Sequence, residues 1–344
     1  MLPAWSIVFG VAFGAAVGSF LNVLIYRLPR NLSIVFPPSH CPACGHRLGI
    51  RDLFPLLSYL AQGGRCRYCR APIPVRYFLV ELWNAGVWAW LWHQWLIVGE
   101  SPLRFLFYAL AASALIAIFF IDLQHYIIPD ELNVALLLLG LLHAGLLKGA
   151  PTDWEWASLG ILNLRNAVLG ALAGATLFSA IAILGRIAFR RDAMGHGDIK
   201  LVRGMGALLL TPGMLVAFAI SIATGAILGG LWAYWRTRRF PTSDAEASND
   251  EQPLTPEPLG NLLLSCLLYM LWVDALITLL PRRVQQRVYA ALGQPEEELA
   301  DESLEETPTM LPFGPFLAVG AMLTLLFGGT LAAWTRAYFE WAGF

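Results

Sequence analysis

The sequence predicts an all-α polytopic membrane protein of about eight transmembrane helices, with a small cytoplasmic zinc-knuckle domain. Three observations lead there. Of 344 residues, 57% are hydrophobic and 14% charged, against about 45–50% and about 25% in an average soluble domain. The apolar residues fall in long uncharged runs at 5–26, 105–121, 132–147, 166–185 and 204–235, and a helix needs about 20 such residues to cross a bilayer. The charges gather between these runs, and one charged segment carries four cysteines in two CxxC pairs. This composition excludes a disordered chain, a nucleic-acid binder and an ordinary soluble enzyme. No basic residue precedes the run 5–26, which therefore reads as a true first span rather than a cleaved signal.

Arginine placement sets the topology. Of 23 Lys+Arg, eight lie in 27–76, five in 186–203, three in 236–239 and three in 282–287. Loops rich in Lys and Arg stay cytoplasmic, so these segments belong inside and both termini outside. Eight spans follow, at about 5–26, 77–98, 105–122, 127–147, 166–187, 199–211, 213–235 and 312–335. The sixth ends at Thr211-Pro212-Gly213 and is short. Organisation divides accordingly: 1–26 is the first span, 27–76 the tetracysteine domain, and 77–235 the bundle. Residues 236–310 form a cytoplasmic insertion, and 311–344 the last span and tail. Residues 261–280 are long enough to cross, but a crossing would bury Asp274 in lipid. A helix lying on the cytoplasmic membrane surface, or packed on the bundle, is the preferred reading. Its polar, acidic flanks 241–258 and 294–308 read as solvated linkers.

Cys41-Pro-Ala-Cys44 and Cys66-Arg-Tyr-Cys69 each turn two thiolates toward one point, and two such knuckles complete a tetrahedral S₄ site. Thiolate sulfur suits Zn²⁺. Two disulfides are the alternative, but they need an oxidising compartment, and the arginines of this loop place it in the cytoplasm. Four protein ligands close the site, so the expected role of Zn²⁺ is structural. His40 and His46 read as surface residues, and Cys266, alone in an apolar run, as packed.

Two aspartates stand at membrane edges. Asp122 ends the uncharged run 105–121, and Asp198 lies where Gly195-His-Gly-Asp198 enters the next span. Ionisable groups at membrane depth are costly and are candidates for function. Each could instead cap a helix. Asp198 and Asp130 suit that role, since a carboxylate stabilises a helix N-terminus, whereas Asp122 sits at the unfavourable C-terminal end. If the two face each other they share one proton, as paired aspartates do: one takes a proton from water while the other polarises a carbonyl. Gly195 and Gly197 would let backbone and substrate approach closely, and Lys200 would sit one turn into the helix, in support of the loop or solvated. Glu81, just inside the second span, is either paired with an arginine or available to a cofactor or amine. Asn22 suits an interhelical hydrogen bond.

Six segments in order resemble the type IV prepilin peptidases, the leader peptidase/N-methyltransferase family of GxGD-type membrane aspartic proteases. They are Gly18-Ser-Phe-Leu-Asn-Val-Leu-Ile-Tyr-Arg-Leu-Pro29, the tetracysteine box with Leu57-Ser-Tyr-Leu60 and Gly64-Arg-Cys-Arg67, and Arg76-Tyr-Phe-Leu-Val-Glu81. Ile121-Asp-Leu-Gln-His-Tyr-Ile-Ile-Pro-Asp130, Gly195-His-Gly-Asp-Ile-Lys-Leu201 and Leu311-Pro-Phe-Gly-Pro-Phe-Leu-Ala318 complete the set. The resemblance implies Asp122 and Asp198 as the catalytic pair. It implies cleavage of type IV prepilins or type II secretion pseudopilins after a Gly, at the cytoplasmic face of the bacterial inner membrane. Methylation of the new N-terminal amine by S-adenosylmethionine follows, with the cysteine domain tied to that step. Membrane lipid and the prepilin are the expected partners. Other readings are a peptidase without methyl transfer, or a non-enzymatic zinc-knuckle scaffold. The chain departs from the family pattern in Ile50-Arg-Asp-Leu-Phe-Pro55, where an Asn is usual before the Pro, in the long 236–310 insertion, and in the outer loop 149–165.

Overall fold

The computed structural model describes residues 2–190, 192, 194–239, 258–291 and 312–342. It is helical throughout, with isolated bridges only in the cysteine loop among the described residues. Five helices are long and apolar enough to cross a membrane: Ala4–Arg27, Pro102–His125, Leu164–Phe189, His196–Leu231 and Gly314–Ala342. Eight crossings are therefore not established by length and apolarity. The core of the first span is α1 (Ile7–Arg27); a single turn, α2 (Leu57–Ala61), interrupts the cysteine loop. Of the expected spans, α3 (Val75–Trp92) has 18 residues and α5 (Asp130–Leu146) has 17. They flank α4 (Pro102–His125), whose Ala109, Ala112, Ile116, Ala117 and Ile118 are fully buried. A π-helical turn, His93–Val98, prolongs α3 toward 98.

Helix α6 (Leu164–Phe189) leads back to the end where α7 (His196–Arg239) starts. The expected pair of spans 199–211 and 213–235 is one run of helical hydrogen bonds, broken by Leu210 at φ 61°, ψ 173°. The contacts show that the chain reverses there. A Cβ on Gly197 would stand 3.0 Å from Ile128, beside the start of α5. One on Gly213 would stand 3.0 Å from Trp154 Nε1, in the loop at the far end. One on Gly225 would stand 3.6 Å from Phe316, in the first turn of α11 (Gly314–Ala342), back near the starting end. The break falls one residue before Thr211, so Pro212 sits in the first turn of the second limb, where its missing N–H costs no hydrogen bond. The first limb rises only about 20 Å. The loop 148–163 dips to meet it, burying Trp154 and Leu162.

Small residues let these short pieces touch backbone to backbone. A Cβ on Gly206 would overlap the carbonyl of Gly170, and one on Gly174 would stand 2.7 Å from Val202 O. Polar groups tie α1, α3 and α4: Asn84 Nδ2 donates to Gly14 O (2.7 Å), and Trp88 Nε1 to Ser113 Oγ (2.9 Å), which donates to Asn84 Oδ1 (2.8 Å). Asn22 Nδ2 donates to Tyr77 O (3.0 Å), an interhelical bond of the expected kind.

The segment 261–280 differs from a single helix. It divides into α8 (Leu259–Met270) and α9 (Val273–Thr278), separated by Trp272 in the left-handed region, φ 60°. Twelve residues rise about 18 Å, too little to cross a bilayer. Both pieces rest on the bundle, α8 against α6 and α9 against α5, and Asp274 is buried. A further helix, α10 (Arg282–Ala291), follows. The linkers at 241–257 and 294–308 lie outside the described residues.

Gly206→Val should force α6 and the first limb of α7 apart and cost about 1–3 kcal/mol, as overpacking does. A lowered unfolding midpoint in detergent checks this, and an unchanged midpoint refutes the close approach.

Candidate active site and thiol centre

One end of the bundle collects the end of α1, the starts of α3, α5 and α11, the end of α4 and the start of α7. Asp122 lies in the last turn of α4, which closes at Tyr126 in the left-handed conformation, its N–H bonded to Asp122 O. Asp198 lies in the first turn of α7. The two carboxylates are within electrostatic reach of each other. Asp122 is 5% exposed and accepts the backbone N–H of Gly314; Asp198 accepts that of Gly195. Gly314 is tightly placed, because a Cβ there would overlap Asp122 Oδ2 and stand 2.9 Å from Ile128 Cδ1. Buried Ile128 thus wedges between Gly197 and Gly314. Glycine at 197 is explained locally, because a Cβ there would crowd Ile128.

Lys200 is not solvated. It is 5% exposed, and its Nζ lies 2.7 and 2.9 Å from the two carboxylate oxygens of Asp130, at the first turn of α5. Asp130, expected as a cap, is thereby an ion-pair partner as well. Two residues whose roles were not expected complete this face. Arg203, 0% exposed, makes a bidentate pair with Asp274 (2.6 and 2.7 Å). Half of the signal was in the sequence: Asp274, a lone aspartate inside an apolar run, calls for a partner, whereas Arg203 closes the basic stretch 186–203.

Among the described residues Glu81 shows no arginine partner. Its Oε2 accepts the N–H of Leu56 (2.7 Å), and Ser19 also hydrogen-bonds to it. This holds the strained loop residue Leu56, at φ 60°, and pins the cysteine loop to α3. Arg76 reaches Gln124 at the end of α4, so the cysteine loop and the aspartates occupy the same end.

The two knuckles are built alike. Cys41 N donates to His46 O (2.9 Å) and Cys66 N to Ala71 O (2.8 Å). Gly45 and Arg70, each following the second cysteine, have φ of 70° and 63°. All four Sγ atoms lie within 4.8 Å of one another, with Cys41 and Cys69 at 3.9 Å. A tetrahedral site with metal–sulfur bonds of about 2.3 Å has edges of about 3.8 Å, so the set fits a metal ion. The cysteines are free thiols rather than disulfides. Backbone N–H groups of Cys69 and Tyr68 pull the Cys66 thiol down to about 7. Asp52 ties the box interior together: its Oδ2 accepts Tyr68 OH (3.0 Å) and Gly49 N–H (3.1 Å), and its Oδ1 forms an ion pair with Arg67, 3.2 Å from Nε. His40 and His46 are exposed, His46 against Tyr68, and Cys266 is packed at 3% exposure.

Residues 12–95 match the family model of the bacterial peptidase A24 N-terminal domain, and 109–230 that of the type IV leader peptidase family. The chain is 34% identical to a prepilin leader peptidase/N-methyltransferase of Myxococcus xanthus, over 94% of this chain and 91% of that protein. It is 28% identical to one of Pseudomonas aeruginosa, over 97% and 93%. A Burkholderia pseudomallei enzyme of the same description shares 34% identity over 67% of this chain and 77% of its own length. No solved structure matches. Two family models divide the chain between the cysteine loop and the aspartate-bearing helices, and a relative spans nearly all of it, so this chain belongs to the type IV prepilin leader peptidase/N-methyltransferase family.

Proposed function

We propose that this chain cuts the leader from prepilins or pseudopilins with Asp122 and Asp198, then methylates the exposed amine. Family membership supplies the activity. The convergence of two carboxylates from helices far apart in sequence, beside Gly314, carries the assignment of residues. The ionised member takes a proton from water as its oxygen attacks the scissile carbonyl. The protonated member donates to that carbonyl oxygen, and the leaving nitrogen receives a proton as the C–N bond breaks. A prepilin joins a charged leader to an apolar helix. A site at the end of the bundle lets the helix stay in the bilayer while the leader remains in water.

The same reading puts this end of the bundle on the cytoplasmic face of the bacterial inner membrane, where the arginine-rich segments gather. Eight crossings then follow from counting α3, α5 and the two limbs of α7 separately. Each limb runs between the same two ends, and an even count leaves both termini outside. The four cysteines hold Zn²⁺ as a closed, structural site, and their loop is tied to the second half of the reaction. S-adenosylmethionine, when bound, supplies the methyl group.

Asp122→Asn and Asp198→Asn should each lower kcat for cleavage of a synthetic prepilin by about 10³-fold or more, with KM little changed. Leader loss followed by mass decides this, and retained cleavage in either variant removes the pair as catalyst. Gly314→Ala should lower kcat by at least ~10-fold, because its methyl group displaces the Asp122 carboxylate; wild-type kcat in this variant contradicts that placement. Metal analysis of the purified protein should find one zinc per chain. Cys41→Ser/Cys66→Ser should lose that zinc and the methyl mass gain while cleavage persists.

A further inference from the structure

The first limb of α7 carries Asp198, yet its helix contacts are smooth. Gly204 faces Leu136, Gly206 faces Gly170, and Val202 faces Gly174. Surfaces of this kind fix how closely helices approach but resist sliding and rotation weakly. Directional contacts come from one polar stripe. His196, Lys200 and Arg203 follow the i, i+4, i+7 spacing of a single helix face, and Asp198 lies about 140–160° around the helix from each of them.

The inserted helices α8 and α9 grip this stripe at three levels. Tyr269 Oη lies 3.1 Å from His196 Nδ1, and the Tyr269 ring centroid lies 5.2 Å from Lys200 Nζ. Arg203 Nη1 donates to Tyr269 O (2.9 Å) and to Asp274 Oδ1 (2.6 Å), and its Nη2 donates to Asp274 Oδ2 (2.7 Å). The left-handed residue Trp272 turns the chain between α8 and α9, so Tyr269 and Asp274 meet the same arginine. The strut is itself anchored. Ala275 packs with Val134 and Leu137 of α5, Ala171 of α6 and Ala207 of α7. Arg282 reaches Asn31 O (2.6 Å) at the end of α1 and Glu131 (3.5 Å) on α5.

A fully buried ion pair is a poor source of net stability, and its best-attested use is fixing register. We propose that residues 259–278 form a clamp that sets the rotation of the α7 first limb, with Arg203, Asp274 and Tyr269 as positioning residues for Asp198. The insertion thus acts on the aspartate pair without touching substrate. This rests on the reading of Asp198 as catalytic.

The test compares wild type, Asp198→Asn, Arg203→Lys and the volume-matched apolar pair Arg203→Met/Asp274→Leu, all full-length in lipid. Cleavage of a synthetic prepilin is followed per monodisperse, folded molecule across pH. The apolar pair should stay folded and lose at least ~10-fold in kcat, with KM within about 3-fold and the pH profile of kcat displaced. Arg203→Lys, which keeps the charge but loses the fork, should show a smaller loss in the same direction. Wild-type kcat and pH profile in the apolar pair overturn the clamp; if that pair does not fold, the same result in Arg203→Lys does so. Wild-type cleavage by Asp198→Asn instead removes the catalytic reading on which the clamp depends.

Discussion

Two carboxylates brought together inside an apolar bundle are costly, and much of this structure is arranged around that constraint. Asp122 lies in the last turn of one helix and Asp198 in the first turn of another, so both stand at one end of the bundle. A helix that begins at Asp198 and must return to the same edge has to reverse. Leu210 makes that reversal after a limb too short to span a bilayer by itself. The loop 148–163 fills the space above it, and the helix after the insertion delivers the Gly314 N–H to Asp122. Each of these is a local oddity when read alone. Together they are what it takes to bring two acids together at the rim of an apolar bundle.

Charges elsewhere obey the same rule by pairing. Lys200 meets Asp130, Arg203 meets Asp274, and the Glu81 carboxylate is covered by the Leu56 amide. None of these contacts joins neighbours in sequence. Each crosses between elements, so the pairs specify which helix lies beside which, where apolar side chains alone would accept many arrangements. The cysteine loop is fastened in the same manner to α3 through Glu81, and Arg76 and Asn22 tie the start of α3 to α4 and α1.

What could be read in the sequence was whatever has a local signature. Apolar runs mark helices, CxxC spacing marks a thiol cluster, and an aspartate at the end of an uncharged run marks itself as costly. Asp122, Asp198 and the four cysteines were all visible for these reasons. What could not be read depended on pairing at a distance. The break falls at Leu210 rather than at the proline, because proline is compatible with a first helical turn and does not by itself mark a reversal. Residues 261–280 read as one apolar helix, since nothing local announces that Trp272 turns left-handed or that Asp274 faces Arg203. An arginine was a natural partner to expect for Glu81, yet one of its carboxylate oxygens takes the Leu56 amide from the loop. Lys200 lay in a recognised motif, yet its partner Asp130 was assigned a separate duty.

Gly314 closes over Asp122 from a helix that follows both aspartates by more than a hundred residues in the chain and so is synthesised after them. Until that helix is inserted, Asp122 lacks the Gly314 amide and Ile128 has nothing on its second side. A nascent chain on the ribosome therefore holds both acids without the enclosure around them. The surroundings of Asp122 are therefore complete only once the last helix has been made.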